Sequence, residues 1–262
     1  MPFLQDVRII INMKLKFLKK EKFLKVLYMS LYFVCVVVFV ISGIFIFYRN
    51  YYSNVYVSGS SMSPTLVGGV GGRCHYGISD NHRNVINKID RFDVVITYYP
   101  SSWTHSDEDT TYKIKRVWGF PGESLTMSYS DETYIFTVSK NDNVIYTVSG
   151  EVSQKNFDIY GDYWVATFKT EKRTFNTHVA SNSDPSIKQR TSFTIHLSEE
   201  KKEYFLMGDN WLSSSDSYQH LGSGDRITYE NLQGRVVAIK GTAVVVNGEL
   251  TDKREISNMF YF

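Results

Sequence analysis

The sequence predicts a mostly β domain that is preceded by one transmembrane helix. The 262 residues include 19 tyrosines and 17 phenylalanines, and Tyr, Phe, Val and Thr outnumber Ala and Leu, a bias that favours strands. Only five prolines occur, as is typical of a folding sequence. The long apolar run 26–48 contains no charged side chain.

The run 26–48 is predicted to be an uncleaved membrane anchor. As a helix its 23 residues cover about 35 Å, enough to cross a hydrocarbon core of roughly 30 Å. A cleaved signal peptide would have an apolar region of only about 7–15 residues, followed by a small-x-small site. Asn50, Tyr51 and Tyr52 do not provide such a site.

Charge predicts how the chain crosses the membrane. Residues 1–25 carry seven basic and two acidic side chains, a net of +5, and the remainder carries 22 basic and 25 acidic side chains, a net of −3. The positive-inside rule keeps such a basic tail in the cytoplasm. We therefore predict a single-pass protein of the plasma membrane, with a cytoplasmic tail 1–25, a span 26–48 in the phospholipid bilayer and an extracytoplasmic domain 49–262.

The same charge distribution argues against nucleic acid as a partner, because the folded domain lacks an excess of basic residues. The two cysteines also exclude an obvious metal site. Cys35 lies within the apolar run, Cys74 lies well beyond it, and neither has companions at the spacing that metal ligands need. We expect no metal and no cofactor.

Strands are predicted on both sides of an inserted β-rich lobe in the extracytoplasmic domain. Alternation and turn residues indicate strands at 54–58, 91–99, 111–117, 204–207 and within 231–246. The lobe covers about 125–202. Its clearest alternating segments are 133–138, 144–148 and 163–168, with turn-like residues at 141–143 and 149–151.

Residues 57–66 read Val-Ser-Gly-Ser-Ser-Met-Ser-Pro-Thr-Leu, and a linker that leaves the anchor is their simplest interpretation. A serine in this stretch would be a nucleophile only if a neighbouring base removed its proton. None of the six histidines stands out as that base. They are His75, His82, His105, His178, His196 and His220.

Two later stretches contain polar residues that could serve such a serine. In residues 112–123, strand alternation places Lys113 and Lys115 on one face. A lysine acts as a general base only when desolvation lowers its pKa, and a lysine on a strand is more often a solvated charge. Residues 208–218 begin with Gly-Asp-Asn, a tight-turn sequence that also fits an ordinary hairpin loop.

The three stretches, in this order behind a basic tail and an anchor, resemble the type I signal peptidase family of membrane serine proteases. The likeness is to Gram-positive-like members, some of them associated with pilus assembly. It covers most of the chain apart from the lobe and implies a signal-peptidase-like β-sheet catalytic domain with a Ser-Lys dyad. The implied function is a membrane-bound serine endopeptidase that removes signal peptides from exported preproteins.

The resemblance implies a role for four residues. Ser61, directly before Met-x-Pro-Thr-Leu, would be the nucleophile, and Lys115, before the arginine of the second stretch, would be the general base. Ser214 would orient the lysine and Asp216 would support this region. The backbone N–H of Ser61 would stabilise the oxyanion.

The resemblance also implies how substrate binds. A preprotein would lie as an added strand beside Val55, Val57 and Ile114, whose side chains would shape shallow pockets. These pockets would accept small residues at the first and third positions before the cut. Further partners would be the secretion or pilus-assembly machinery.

Four residues depart from the pattern of the family. Gly59 stands where some members carry a serine that completes the oxyanion hole. Trp211 and Tyr218 replace arginines that are common in the third stretch, and Phe92 replaces a common glycine. These departures bear on structural support and efficiency more than on the dyad.

A second function is open: a non-catalytic or client-specific assembly factor for pilus or other surface proteins. Some relatives tied to pilus assembly have lost the serine or the lysine, whereas this chain retains both. A self-cleaving repressor with a related Ser-Lys fold fits less well, because such proteins are soluble and carry a DNA-binding segment.

Overall fold

The computed structural model describes residues 3–69, 72–104, 112–157, 161–246 and 249–261 and forms two compact units, Met1–Tyr51 and Tyr52–Phe262. The first unit contains helix α1, Phe3–Tyr51, which extends beyond the predicted span on both sides. Within the described residues, one helical stretch, Lys20–Tyr51, is long and apolar enough to cross a membrane. Its large apolar side chains are exposed, as expected of a helix whose solvent is lipid.

In its described residues the second unit consists of antiparallel strands, the short α-helix α2 (Arg83–Ile86) and two 3₁₀ turns, Ser101–Trp103 and Tyr229–Asn231. The strands are β1 (Tyr52–Tyr56), β2 (Arg73–Asp80), β3 (Val94–Thr97), β4 (Lys113–Gly119), β5 (Ser124–Ser130), β6 (Thr133–Lys140), β7 (Asn143–Asn156), β8 (Asp162–Lys169), β9 (Thr174–Ala180), β10 (Phe193–His196), β11 (Glu203–Met207), β12 (Ile227–Thr228), β13 (Leu232–Val246) and β14 (Glu249–Tyr261).

Eight strands form the main sheet in the order β1-β2-β13-β3-β4-β11-β12, with β14 also paired to β13. Strand β4 is an interior strand in this order, between β3 and β11. Its register pairs Lys115 with Val95 of β3 and Arg116 with Met207 of β11. Because both faces of β4 are covered, every residue from Lys115 to Gly119 is buried. The lysine therefore lies in the interior and is not a solvated charge.

The other six strands form a second sheet in the order β10-β5-β6-β7-β8-β9, between Ser124 and His196. The predicted turn at 149–151 is wrong, because those residues lie inside the long strand β7. A Cβ at Gly150 would stand 2.6 Å from the Phe168 ring. The glycine therefore allows an aromatic ring to cover the strand, a common use of glycine in strand interiors.

An aromatic core joins the two sheets. Trp118, at the end of β4, meets Phe92 edge-on at 5.0 Å and Phe136 of the lobe at 5.0 Å. Phe168 and Phe175 of the lobe also contact Trp118. Each such pair contributes roughly 0.5–1.5 kcal/mol beyond its buried area. The lobe therefore shares its hydrophobic core with the main sheet.

Several strand boundaries differ from the predictions: β1 ends at Tyr56 and not at residue 58, and β4 extends to Gly119 and not only to residue 117. The strand predicted from residue 91 begins only at Val94, because Phe92 has a φ of 68°, in the left-handed region that a strand cannot contain. Glycine adopts this conformation freely, so a glycine at position 92 would carry no backbone strain. Three strands of the main sheet, β2, β12 and β14, have no counterpart in the predictions, and in β14 the charged residues Asp252, Lys253 and Arg254 obscure the alternation. The predicted fold class, a mostly β domain with an inserted β-rich lobe behind one apolar helix, is confirmed.

Candidate active site

Ser61 lies in the loop that follows β1, and contacts on both sides fix its backbone. Its carbonyl accepts a hydrogen bond from the Asn210 backbone N–H at 2.9 Å, and the Asn210 side chain donates to the Ser60 carbonyl at 3.1 Å. Met62 and Leu66 anchor the loop in a buried apolar cluster. The Ser61 N–H makes no hydrogen bond within the described residues, so it is available to a ligand.

The Lys115 amine reaches this serine from the interior strand β4. Its Nζ lies 2.9 Å from Ser61 Oγ and 3.0 Å from the Ile114 carbonyl oxygen. The lysine is only 2% exposed. Strand alternation predicts the face on which Lys115 lies, but the contacts of its amine with Ser61 and with the Tyr99 ring, whose centre is 5.9 Å away, come from segments distant in the sequence.

Burial lowers the pKa of the Lys115 amine from 10.5 to about 8. The Asp216 carboxylate opposes this shift and is the largest of the charge effects. Lys113 and Arg190 lower the pKa further, and Asp209 raises it. A useful fraction of the amine is therefore neutral near physiological pH, as a general base requires.

Ser214 and Asp216 lie close behind the dyad, where Asp216 has contacts that fit a supporting role and Ser214 lacks the contact with Lys115 that the resemblance implies. The Ser214 hydroxyl donates to Asp216 Oδ2 at 2.6 Å, and within the described residues no hydrogen bond joins it to Lys115. Asp216 also accepts from the backbone N–H groups of Gly208 at 2.8 Å and Tyr218 at 3.1 Å. The aspartate is thus fully buried and accepts at both carboxylate oxygens.

A buried ion pair that the sequence did not indicate supports the Gly-Asp-Asn turn. Arg116 Nη2 lies 2.5 Å from Asp209 Oδ2, and Arg116 Nε donates to Asp209 Oδ1 at 2.8 Å. Arg116 also donates to the Phe92 carbonyl at 2.8 Å. The pair ties β4 to the turn, and its only sequence signal is the arginine beside the lysine.

The dyad opens into a cleft of about 790 Å³. Val57 and Ile114 line this cleft, although Val57 is only 5% exposed. Val55 lies in an adjoining groove of about 510 Å³ that shares Ile114. The three predicted substrate-binding residues therefore lie along one continuous surface beside the serine.

One histidine, His220, lines the same cleft, where its ring stacks on Trp103 at 4.2 Å. The other candidate histidines with described positions do not line the cleft, and His105 lies outside the described residues. Within the described ranges no group of three or more His, Cys, Asp or Glu residues has the arrangement of a metal site.

Comparisons with known proteins define the class as serine peptidases, which are hydrolases. The family model described as "Signal peptidase, peptidase S26" matches residues 26–239. Signal peptidase I of a serotype 4 strain of Streptococcus pneumoniae, and that of a second strain, are each 29% identical over 179 residues. The match covers 66% of this chain and 76% of each relative.

The chain belongs to the signal peptidase family, peptidase S26. This confirms the resemblance inferred from the three stretches. Together with the apolar helix α1, family membership indicates a membrane-anchored protein.

Proposed function

We propose that the protein removes signal peptides from exported preproteins, with Ser61 as nucleophile and Lys115 as general base. The observation that carries this proposal is the 2.9 Å separation of Lys115 Nζ and Ser61 Oγ in a site where the lysine is buried. The signal peptidases I of Streptococcus pneumoniae support the substrate class through their names.

The reaction has two steps. The neutral Lys115 amine takes the Ser61 hydroxyl proton as the oxygen forms a bond to the scissile carbonyl carbon, and the Ser61 N–H stabilises the oxyanion. The C–N bond then breaks, and the lysine returns the proton to the leaving amine. In the second step the neutral lysine takes a proton from water as the water oxygen attacks the acyl carbon. The C–O bond to Ser61 then breaks, the lysine returns that proton to Ser61 Oγ, and the signal peptide leaves as a carboxylic acid that loses its proton to solvent.

The substrate would bind as an added strand along β1 and the start of β4. β1 stands at one edge of the main sheet in the described residues, and an edge strand can pair with an added peptide strand. Val55, Val57 and Ile114 would form the shallow pockets for small residues at the first and third positions before the cut. The basic tail would remain in the cytoplasm and the domain from residue 49 onward outside.

The test replaces each member of the dyad in the full-length chain. Ser61→Ala and Lys115→Ala should each abolish the processing of exported preproteins while the protein stays folded in the membrane. Ser60→Ala is the matched control, because Ser60 adjoins Ser61 but its hydroxyl contacts Ser213, 3.2 Å away. Wild-type processing by either dyad variant would refute the proposal.

A second candidate is the non-catalytic or client-specific assembly factor. It is favoured by the exposed Val144 and Ile145 on the lobe, which offer an apolar surface to a pilin or similar client. Normal pilus or surface-protein assembly in a strain that carries Ser61→Ala would favour this function. Loss of assembly together with loss of preprotein processing would favour the peptidase.

A further inference from the structure

Arg190 belongs to the inserted lobe, and its side chain reaches the Ser214–Asp216 segment behind the dyad. It lies between β9 and β10, and its side chain is only 1% exposed. Its Nη1 lies 3.0 Å from Asp216 Oδ2, and its Nη2 donates to the Ser214 carbonyl at 3.2 Å. A residue of the lobe therefore forms an ion pair with the buried aspartate behind the dyad.

The two unusual aromatic residues of the third stretch flank this arginine. The guanidinium lies 5.7 Å from the centre of the Trp211 ring and 4.8 Å from that of Tyr218. Aromatic rings attract a guanidinium through their electron-rich faces, more strongly when water is excluded. At the positions where family members commonly carry arginine, this chain thus has rings that hold an arginine from elsewhere in the sequence.

The backbone around Arg190 is held firmly despite an unfavourable conformation. Arg190 has a φ of 56°, in the left-handed region that is unfavourable for a residue other than glycine. The preceding residue, Gln189, donates to the Val179 carbonyl at 2.8 Å and accepts from the Tyr134 hydroxyl at 2.6 Å. The lobe therefore fixes the position from which the arginine extends.

Other bonds tie the lobe to the same segment. The His178 N–H of β9 donates to the Asp209 carbonyl at 2.7 Å, and the Trp211 N–H donates to the His178 carbonyl at 3.0 Å. These bonds align β9 with the Gly-Asp-Asn turn, which in turn holds the Ser61 carbonyl through Asn210. These hydrogen bonds therefore connect the lobe directly to the turn that holds the Ser61 carbonyl in place.

We infer that the inserted lobe completes the catalytic centre by supplying Arg190 as a positioning residue, which neutralises Asp216 and holds the Ser214–Asp216 segment behind Lys115. The inference rests on the proposed Ser61–Lys115 function. It gives the insertion a role in catalysis, whereas a separate accessory module would leave the chemistry unaffected.

The neutralisation of Asp216 by Arg190 should affect the pKa of Lys115, which can be measured. Asp216 raises the pKa of Lys115 and Arg190 lowers it. The charged and titratable groups near the lysine are Lys113 and Arg116 on its own strand, Asp209 and Asp216 on the third stretch, Arg190 from the lobe, and Tyr99 and His220 in the cleft wall. Removing Arg190 alone leaves Asp216 uncompensated, so less Lys115 is neutral at a given pH.

The experiment measures kcat/KM against pH for the full-length enzyme in detergent, with a synthetic signal-peptide substrate that has alanine at the first and third positions before the cut. Arg190→Met should move the acidic limb of the profile up by about one pH unit, with about a tenfold loss at pH 7 that largely recovers at high pH. Arg190→Lys keeps the charge and should leave the limb near its wild-type position.

Two further variants separate positioning from folding. Arg173→Met is the matched control, because Arg173 also belongs to the lobe and forms an ion pair with Asp93 at 2.6 Å. It should leave the limb in place. The double variant Arg190→Met/Asp216→Asn removes both charges and should bring the limb back down even if Arg190→Met alone folds poorly.

An Arg190→Met profile with the wild-type limb, or a limb that Arg173→Met moves equally, would overturn the inference. If Arg190→Met does not fold, an unrestored limb in the double variant would also overturn it. Ser61→Ala in the same assay keeps the two proposals apart. Activity that persists in Ser61→Ala would refute the proposed function, whereas Ser61-dependent activity with a limb indifferent to Arg190 would refute only the role of the lobe.

Discussion

Gly208 stands so close to Ser214 that no side chain fits between them. A Cβ at Gly208 would lie 2.2 Å from Ser214 Oγ and 2.3 Å from the Ser61 carbonyl oxygen. Because Gly208 has no side chain, the backbone just after β11 can approach both the Ser61 loop and the Ser214–Asp216 segment. Glycine is required at position 208 because other groups approach it closely. Its backbone conformation does not require glycine, since its φ lies outside the left-handed region.

Gly208→Ala should therefore displace both neighbours of the dyad. We expect at least a hundredfold loss of kcat/KM, because misplacement of reacting groups by about 1 Å has an effect of this size. Gly222→Ala is the matched control, since a Cβ there meets nothing within 4 Å. Equal activity of the two variants in a preprotein-cleavage assay would contradict the close approach.

The pH dependence of the wild-type enzyme should report Lys115. Because the base must be neutral, log kcat/KM should rise by one per pH unit below the lysine pKa of about 8 and become level above it. Steady-state kinetics between pH 6 and pH 10 would measure this limb. A limb near pH 6.5 would instead indicate a histidine as the base, with His220 the first candidate because it lines the cleft.

Lys115→Met should stabilise the protein while abolishing its activity. The folded-state pKa of about 8 lies below the usual 10.5, so folding at pH 7 requires the lysine either to be buried charged or to lose its proton. This penalty is complete below pH 8, decreases as the pH rises, and vanishes above about 10.5. We expect a gain of about 3 kcal/mol in the free energy of unfolding at pH 7.

Thermal unfolding of the full-length wild type and Lys115→Met in the same detergent would measure this difference at several pH values. The two midpoints should converge as the pH rises from 8 towards 10.5. A difference that stayed constant with pH would assign the gain to packing alone.

Phe92→Gly tests how a strained backbone is held. Glycine would relieve the left-handed conformation by about 1 kcal/mol, whereas the buried ring loses about 4 kcal/mol of packing when it is removed. The variant should therefore be less stable by about 3 kcal/mol, as measured by urea unfolding. Phe92→Ala should be less stable still, because it loses the ring without relieving the backbone. A variant with glycine as stable as the wild type would show that the ring contributes little.

Local signals in the sequence predicted the elements that depend on neighbours in the chain. The apolar run predicted α1 and alternation predicted most strands, whereas the pairing of Ser61 with Lys115 was implied by the resemblance of the three stretches to a known family. The conformation of Phe92 and the extended path through Gly150 were not predictable from alternation. Both depend on rings contributed by distant strands.

The contacts of the residues that support the dyad were harder to predict from the sequence. Arg190 lies far from each of the three stretches, and nothing in its local sequence distinguishes it from a surface arginine. Its burial depends on how β9 is positioned beside residues 208–211. The contact of Ser214 with Asp216 was likewise not deducible, because it depends on the geometry of one loop.

The first and last strands of the lobe, β5 and β10, pair with each other, and this pairing affects the order in which the domain folds. Strands β5 to β9 are successive hairpins, and the pairing of Ser124 with His196 brings the two ends of the lobe together. Local contacts of this kind form faster than distant ones, and a closed lobe shortens the effective loop between β4 and β11. We expect the lobe to fold first and the Ser214–Asp216 segment to dock afterwards. During synthesis, which proceeds from the N-terminus, Ser61 and Lys115 would then lack their supporting segment until the last third of the chain had folded. The catalytic site would stay inactive until that point.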